Sequence, residues 1–216
     1  RLNYPLIDGV VNGCPSHLLE PSRLQKIKYS EDFSQGYWTK SGSSVVSGFT
    51  SPSGDLSAFK LVESGSNDFH WLYSSIITAS LGVPYSESIF VKADGRHKFA
   101  LREDGSTGEW ASFNLSDGTV MDTSATSGTS GQITAMTNGW YKVTLVSTSH
   151  ASTSQFRFGM FVLDDAYTSG DPNNVGNKYT GDGTSGVYIY GAQLEQGSYP
   201  TSYIPNYGTS AGVTRV

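Results

Sequence analysis

The side chains best placed for chemistry in this chain are aromatic and basic rather than nucleophilic. Trp71 and Tyr73 lie two positions apart, which puts both on one face of an extended strand. Trp110 shares its face with Ser112 and Asn114, a polar set suited to solvent, and is the expected platform. Arg102 and Arg157 interrupt otherwise apolar stretches beside Ala100 and Gly159, so their faces suit the polar floor of a groove. These residue types fit a saccharide, whose C–H faces stack on aromatic rings while its hydroxyls seek planar donors and carboxylates. The expected ligand-binding set is therefore Trp110, Trp71, Tyr73, Arg102 and Arg157. Core packing is the competing reading for each ring, and it is the expected one for Trp38 and Trp140.

Catalytic constellations are scarce. The four histidines, His17, His70, His97 and His150, show no H-E-x-x-H or comparable metal-ligand spacing. No G-x-S-x-G elbow joins a strand pattern to a helix pattern, and the one cysteine, Cys14, lies near the N-terminus, where it reads as a small inert residue. Glycoside hydrolysis needs two carboxylates about 5 to 10 Å apart across a cleft. Glu63, Glu87, Glu103, Asp104 and Glu109 are the available carboxylates, and their expected state is solvation at the surface. No catalytic residue is assigned. The stretch Asp164 to Gly186 is long for a loop and holds Asp164, Asp165, Asp171 and Asp182. Two readings stay open for it: a structural calcium site of carboxylate and carbonyl oxygens, or turns formed by Asp, Asn and Gly. The D-x-[DN]-x-[DN]-G spacing is absent.

Strands must position these side chains. Alternating stretches with turn punctuation recur at 44–48, 57–63, 69–77, 86–93, 97–103, 109–115, 118–122, 131–136, 140–148, 155–163 and 186–194. Between Gly139 and Ser147, the residues Tyr141, Val143 and Leu145 make a core face. From Gly186 to Glu195, alternation puts Tyr188, Tyr190, Ala192 and Leu194 on one face and Val187, Ile189, Gly191 and Gln193 on the other. No helix exceeds a turn or two. The pattern predicts an all-β, antiparallel two-sheet β-sandwich, a jelly roll, which limits exposed edges better than an up-and-down barrel.

Residues 1–27 carry Pro5, Gly9, Gly13, Pro15 and Pro21 among isolated apolar residues and read as an extended lead-in. Leu18, Leu19 and Leu24 are expected to pack on the sandwich or on a neighbouring subunit. The sandwich is assigned to 28–205 and the tail to 206–216, leading into further parts of a parent polypeptide. A length of 216 residues suffices for one sandwich core without disulfides or metals. Twenty-five glycines and only 15% charged residues suit short strands and tight turns. A net charge of −5 and a pI near 5.3 speak against nucleic-acid binding. No apolar run approaches the roughly 20 residues of a membrane helix, so membrane insertion is not expected.

The stretch Gly191-Ala-Gln-Leu-Glu-Gln-Gly-Ser-Tyr-Pro-Thr-Ser-Tyr-Ile-Pro205, with Val213-Thr-Arg215 after it, resembles a closing signature, G-A-Q-L-E-x-G-x-x-P-T-S-Y-I-P then V-T-R. That signature belongs to jelly-roll domains of bacteriophage and prophage tail-fibre and other virion proteins. Cys14-Pro-Ser-His-Leu-Leu-Glu-Pro21 and Tyr29-Ser-Glu-Asp-Phe-Ser-Gln-Gly-Tyr-Trp-Thr-Lys40 resemble the same family's start and first core strand. The chain departs from the pattern at Ser22-Arg-Leu-Gln25, usually Gln-Arg-Thr-Asn, and at Asn206, usually Thr. The resemblance implies a sandwich similar to concanavalin A-like and carbohydrate-binding-module folds, a virion or extracellular location and a glycan contact. It implies no catalytic residues.

The expected function is that of a noncatalytic domain of a phage virion protein, a fibre or surface appendage, that binds host-surface glycan. Other virion subunits and further copies of the chain are the expected protein partners. No cofactor is assigned beyond the candidate calcium. Two alternatives stay open: a structural, oligomerisation or decoration domain without a glycan ligand, and an accessory binding module of a polysaccharide-degrading enzyme. The sequon Asn114-Leu-Ser116 is read as chance.

Overall fold

The computed structural model describes residues 20–104, 108–147 and 155–215, together with two-residue strands at Leu2–Asn3, Leu6–Ile7, Val10–Val11 and Ser16–His17. The expectations attached to Cys14, Leu18, Leu19, His150 and the His17 side chain lie outside the described residues. The body is built from β1 Trp38–Ser41, β2 Ser43–Phe49, β3 Ala58–Glu63, β4 His70–Ser74, β5 Tyr85–Asp94, β6 Lys98–Glu103, β7 Trp110–Asn114, β8 Thr119–Thr123, β9 Ser130–Ala135, β10 Tyr141–Ser147, β11 Phe158–Leu163 and β12 Gly186–Gln196. Among the described residues these strands form two six-stranded sheets, ordered β8-β7-β6-β11-β4-β1 and β9-β10-β5-β12-β3-β2. Their ladders are antiparallel, and the fold is the all-β, two-sheet jelly-roll sandwich that the strand spacing predicts.

Alternation explains the core. Phe99 and Leu101 of β6, Ala111 and Phe113 of β7, and Phe158, Met160 and Val162 of β11 face inward from the first sheet. Ile89 and Val91 of β5, Val143 and Leu145 of β10, and Leu61 of β3 meet them from the second. Removing a side chain of this size from water contributes about 1.5 to 3 kcal/mol each. Trp38 is buried between the sheets as expected. Trp140 is buried too, but on the outer side of the second sheet, with Ala58 and Tyr190.

The face assignment in β12 needs correction. Gly191 has φ 66°, and the register against β5 shifts there: Ser88 stands opposite Gln193, but Phe90 stands opposite Tyr190. Gly191 and Ala192 thus share one partner position, a bulge that a non-glycine residue would strain. Val187 and Ile189 before it, and Ala192 and Leu194 after it, all point into the core, leaving Tyr188 and Tyr190 outside.

Segments outside the assigned sandwich also pack on the body. Arg23–Gln25 pairs with Val213–Arg215, and Gln25 is fully buried, donating to the carbonyls of Ala192 (2.9 Å) and Ile204 (3.2 Å). The boundaries set at 28 and 205 therefore fall inside packed structure. The closing signature acts as a staple: Gln193 accepts from the Ile204 amide at 2.7 Å, and Glu195 accepts from the Thr201 amide and hydroxyl, each at 2.7 Å.

Candidate functional site

The outer face of the first sheet brings the five expected ligand residues together. Strand register aligns Thr39, Tyr73, Gly159, Arg102 and Trp110 in one row. Ser41, Trp71, Phe161, Ala100 and Ser112 form the next. On the other side of the first row, Arg157 exchanges backbone hydrogen bonds with Asp104 and places its guanidinium 3.6 Å from that carboxylate. The rings of Trp71 and Tyr73 stand edge-to-face with centroids 4.8 Å apart.

Arg102 is the hub of this face. Its Nε and Nη2 donate to Asp171 at 2.9 and 3.3 Å, and its Nη1 reaches the Tyr73 hydroxyl at 3.4 Å. Burial alone would lower the guanidinium's pKa, but the hydrogen bonds and charge of Asp171 outweigh it and raise the value. Burial also pushes the Tyr73 phenol well above its ordinary range, so it stays a neutral donor.

The segment from Asp164 to Lys178 straps across this face. Tyr167 packs with Tyr73, Ala100, Phe161 and Leu163. Asp122 of β8 accepts from the Gly170 amide at 2.9 Å, and Lys98 donates to the carbonyls of Asp165 and Tyr167. Under the strap Tyr73 is 4% exposed and Arg102 8%, and Trp110 on the same face is 7% exposed. The solvent-facing platform expected at Trp110 is thus corrected: that ring is buried. Trp71 is only half-buried, and the Arg157 side chain stays 41% exposed beside Asp104, at 39%. Trp71 and Arg157 are the members of the set that a ligand can reach.

The four aspartates do not converge. Asp164 accepts from the Ala166 amide, Asp165 from the His97 amide, Asp171 from Arg102, and Asp182 from the amides of Thr184 and Ser185. Hydrogen bonds from Ser185 and Thr184 hold the Asp182 carboxyl well below its usual range. Among the described residues no three His, Cys, Asp or Glu side chains lie close enough to share a metal ion. In this arrangement the four carboxylates close turns and pair with Arg96 and Arg102. Glu63 anchors the same loop, accepting two hydrogen bonds from Arg96 (2.8 and 2.7 Å), one from the Tyr179 hydroxyl (2.7 Å) and one from the Asp182 amide (2.8 Å).

The remaining carboxylates are not where solvation would put them. Glu87, Glu103 and Glu109 are at most 1% exposed, on inward-facing positions of β5, β6 and the approach to β7. Neither Glu87 oxygen meets a hydrogen-bond partner among the described residues. Burial, reinforced by the charges of Glu103 and Glu109, raises its pKa well above the carboxylate range. Burial likewise pushes Glu103 up to about 7. Glu109 accepts from the Thr129 hydroxyl at 2.7 Å.

Sequence reasoning missed one feature. Two adjoining clefts of about 350 and 360 Å³ open beside the outer side of the second sheet, and Glu31 and Tyr207 line both. Glu31 accepts from the hydroxyls of Tyr190 (3.0 Å) and Tyr203 (3.1 Å). The clefts join residues from both ends of the chain, so no local pattern signals them.

No protein-family model matches the chain, and no curated protein is significantly similar to it. Similar solved structures include the enzymatically active domain of bacteriophage CBA120 tailspike protein 4, at 11% identity and TM-score 0.47, covering 80% of this chain and 21% of that one. Another is the CBM22-1–GH10 modules of Clostridium thermocellum endo-1,4-beta-D-xylanase 10B complexed with xylohexaose, at 14% identity and TM-score 0.44, covering 85% and 30%. A CBM4 structure aligns at 14% identity and TM-score 0.39, covering 76% and 83%. The chain thus spans under a third of the tailspike and xylanase chains.

Proposed function

We propose that this chain is a noncatalytic carbohydrate-binding domain of a bacteriophage-type virion appendage, displayed outside the cell and contacting host-surface glycan. The observation that carries the reading is the gathering of Trp71, Tyr73, Arg102, Trp110 and Arg157 on one outer sheet face, with the Trp71 ring and the Arg157 guanidinium accessible at its margin. Trp71 offers a stacking surface and Arg157 with Asp104 offers hydrogen bonds to hydroxyls, while the buried members hold that surface rigid. Resemblance to the closing signature of phage jelly rolls supports the virion setting. The carboxylates support the noncatalytic reading: Glu63 is engaged by Arg96 and Tyr179, and Glu87, Glu103 and Glu109 lie in the interior. A glycan array probed with the purified chain and with Trp71→Ala tests this. Binding to a bacterial surface glycan that the variant loses is the expected result; absence of binding to every glycan overturns it.

One observation favours a structural reading instead. Leu24 (38% exposed) and Ile76 (58%) flank a cleft with Lys26 and Lys28, an apolar border suited to a second subunit. Sedimentation of the chain beside Ile76→Asp tests it: an oligomer that the variant dissolves would support assembly through this surface.

A further inference from the structure

We infer that the paired clefts around Tyr207 and Glu31 form a second saccharide site, selective for chains without acidic sugars and favouring hexosamines that carry a free amine. The inference rests on the carbohydrate-binding reading above but concerns a different surface. Tyr207 is 74% exposed and forms the ridge between the two clefts, so its ring is open to a stacking sugar. Each cleft is near the lower end of the volume range of ligand pockets, about 300 Å³. Together they offer adjacent places for neighbouring units of one chain.

The chemistry of the walls sets the selectivity. Tyr29 and Phe59 line one cleft and Phe90, Tyr190 and Tyr203 the other, giving apolar surface to sugar C–H faces. Glu31 lines both clefts and Asp32 lines one, and no Lys or Arg is among the lining residues. Lys28 lies over the Tyr29 ring at 5.4 Å without lining either cleft. The Tyr190 and Tyr203 hydroxyls pin the Glu31 carboxylate at the shared wall. Burial would raise the Asp32 carboxyl, but hydrogen bonds from Ser34 and Gln35, with the charge of Lys40, which lines neither cleft, outweigh it and lower the value. A fixed pair of negative charges accepts hydrogen bonds from sugar hydroxyls, attracts an ammonium and repels a uronate.

Calorimetric titration with hexamers of glucosamine, N-acetylglucosamine and galacturonic acid tests the inference on the native chain and on Tyr207→Ala, Glu31→Gln and Trp71→Ala. Tyr207 is exposed, so its truncation leaves the core intact, and Glu31→Gln keeps an acceptor for both phenols. The glucosamine hexamer should bind most tightly, the acetylated hexamer more weakly and the galacturonate hexamer not at all. Tyr207→Ala should weaken the first two by about tenfold or more. Glu31→Gln should abolish the preference for the free amine, and Trp71→Ala should change nothing here. Equal affinities in Tyr207→Ala and the native chain, equal binding of the galacturonate hexamer, or no binding of any hexamer would each overturn the second site. Glycan-array binding lost only in Trp71→Ala would leave the proposed function standing without this site; no binding on either assay removes both.

Discussion

Tyr73 and Arg102 come from strands that do not pair with each other, yet the Arg102 guanidinium reaches the Tyr73 hydroxyl at 3.4 Å across the intervening strand β11. They meet because the residue between them is Gly159, opposite Tyr73 on one side and Arg102 on the other. A side chain there would occupy the space of the Tyr73 ring and approach the Arg102 carbonyl oxygen to 2.6 Å. The missing side chain lets the ring and the guanidinium close into one continuous floor.

Gly159→Ala should therefore be costly although its backbone conformation suits alanine. Tyr73 is 4% exposed and packed under Tyr167, so it has no free direction in which to yield. Urea denaturation should show a loss of about 2 kcal/mol or more, the scale of overpacking in a tight interior. An unchanged midpoint would show that the floor adapts.

Asp171→Ala should loosen the strap while sparing the sandwich. The change removes both Arg102 hydrogen bonds to the segment. The Asp171 side chain is 36% exposed, so screening keeps the stability loss to about 1 kcal/mol. Limited proteolysis should cut within 164–178 faster than in the native chain, with the strands still resistant.

The interior glutamates predict how stability depends on pH. An unfolded carboxyl loses its proton near 4.5, whereas Glu87 holds its proton well above that value and Glu103 holds it to about 7. The folded chain therefore binds more protons than the unfolded chain over this window. The Glu103 contribution is fully present below 4.5 and is lost as pH rises through about 7, and the Glu87 contribution is likewise present below 4.5 and is lost as pH rises above the carboxylate range. Glu63 has the opposite sign: burial would raise its pKa, the Arg96 hydrogen bonds lower it, and its contribution fades only as pH falls below the ordinary value. Glu87→Gln should accordingly gain in stability relative to the native chain as pH rises from 4.5 through the range where the native Glu87 must lose its proton. Urea midpoints measured across that range check it; a constant gap would mean that Glu87 does not titrate differently on folding.

Gln193→Leu should release the closing segment. The Ile204 amide, buried against Gln193, would lose its acceptor, at a cost of about 1 to 3 kcal/mol. Amide hydrogens of residues 201–206 should exchange faster, while those of β10 and β11 keep their protection.

The strands were legible because most have one face in the core and one outside, so a period of two survives in stretches such as Tyr141–Ser147. The outward grouping of Trp71, Tyr73, Arg102, Trp110 and Arg157 follows from that parity. What parity cannot show is coverage: Trp110 is 7% exposed although it points outward, and the strap over Tyr73 is held by Arg102 and Asp171, 69 positions apart in sequence. A strict period of two fails in β12 because a single positive φ at Gly191 resets the alternation. The burial of Glu87, Glu103 and Glu109 runs against their residue type, since carboxylates rarely enter a core. The Tyr207 clefts depend on chain ends that meet only in three dimensions.

Intrinsic fluorescence during titration with a glycan bound on the array tests the central claim most directly. Trp38, Trp110 and Trp140 are buried at 2, 7 and 2% exposure, which leaves Trp71 as the accessible indole on the proposed face. The account predicts a saturable change in emission that is absent from Trp71→Phe. A change of equal size in Trp71→Phe, or none in the native chain while the glycan binds, would contradict it.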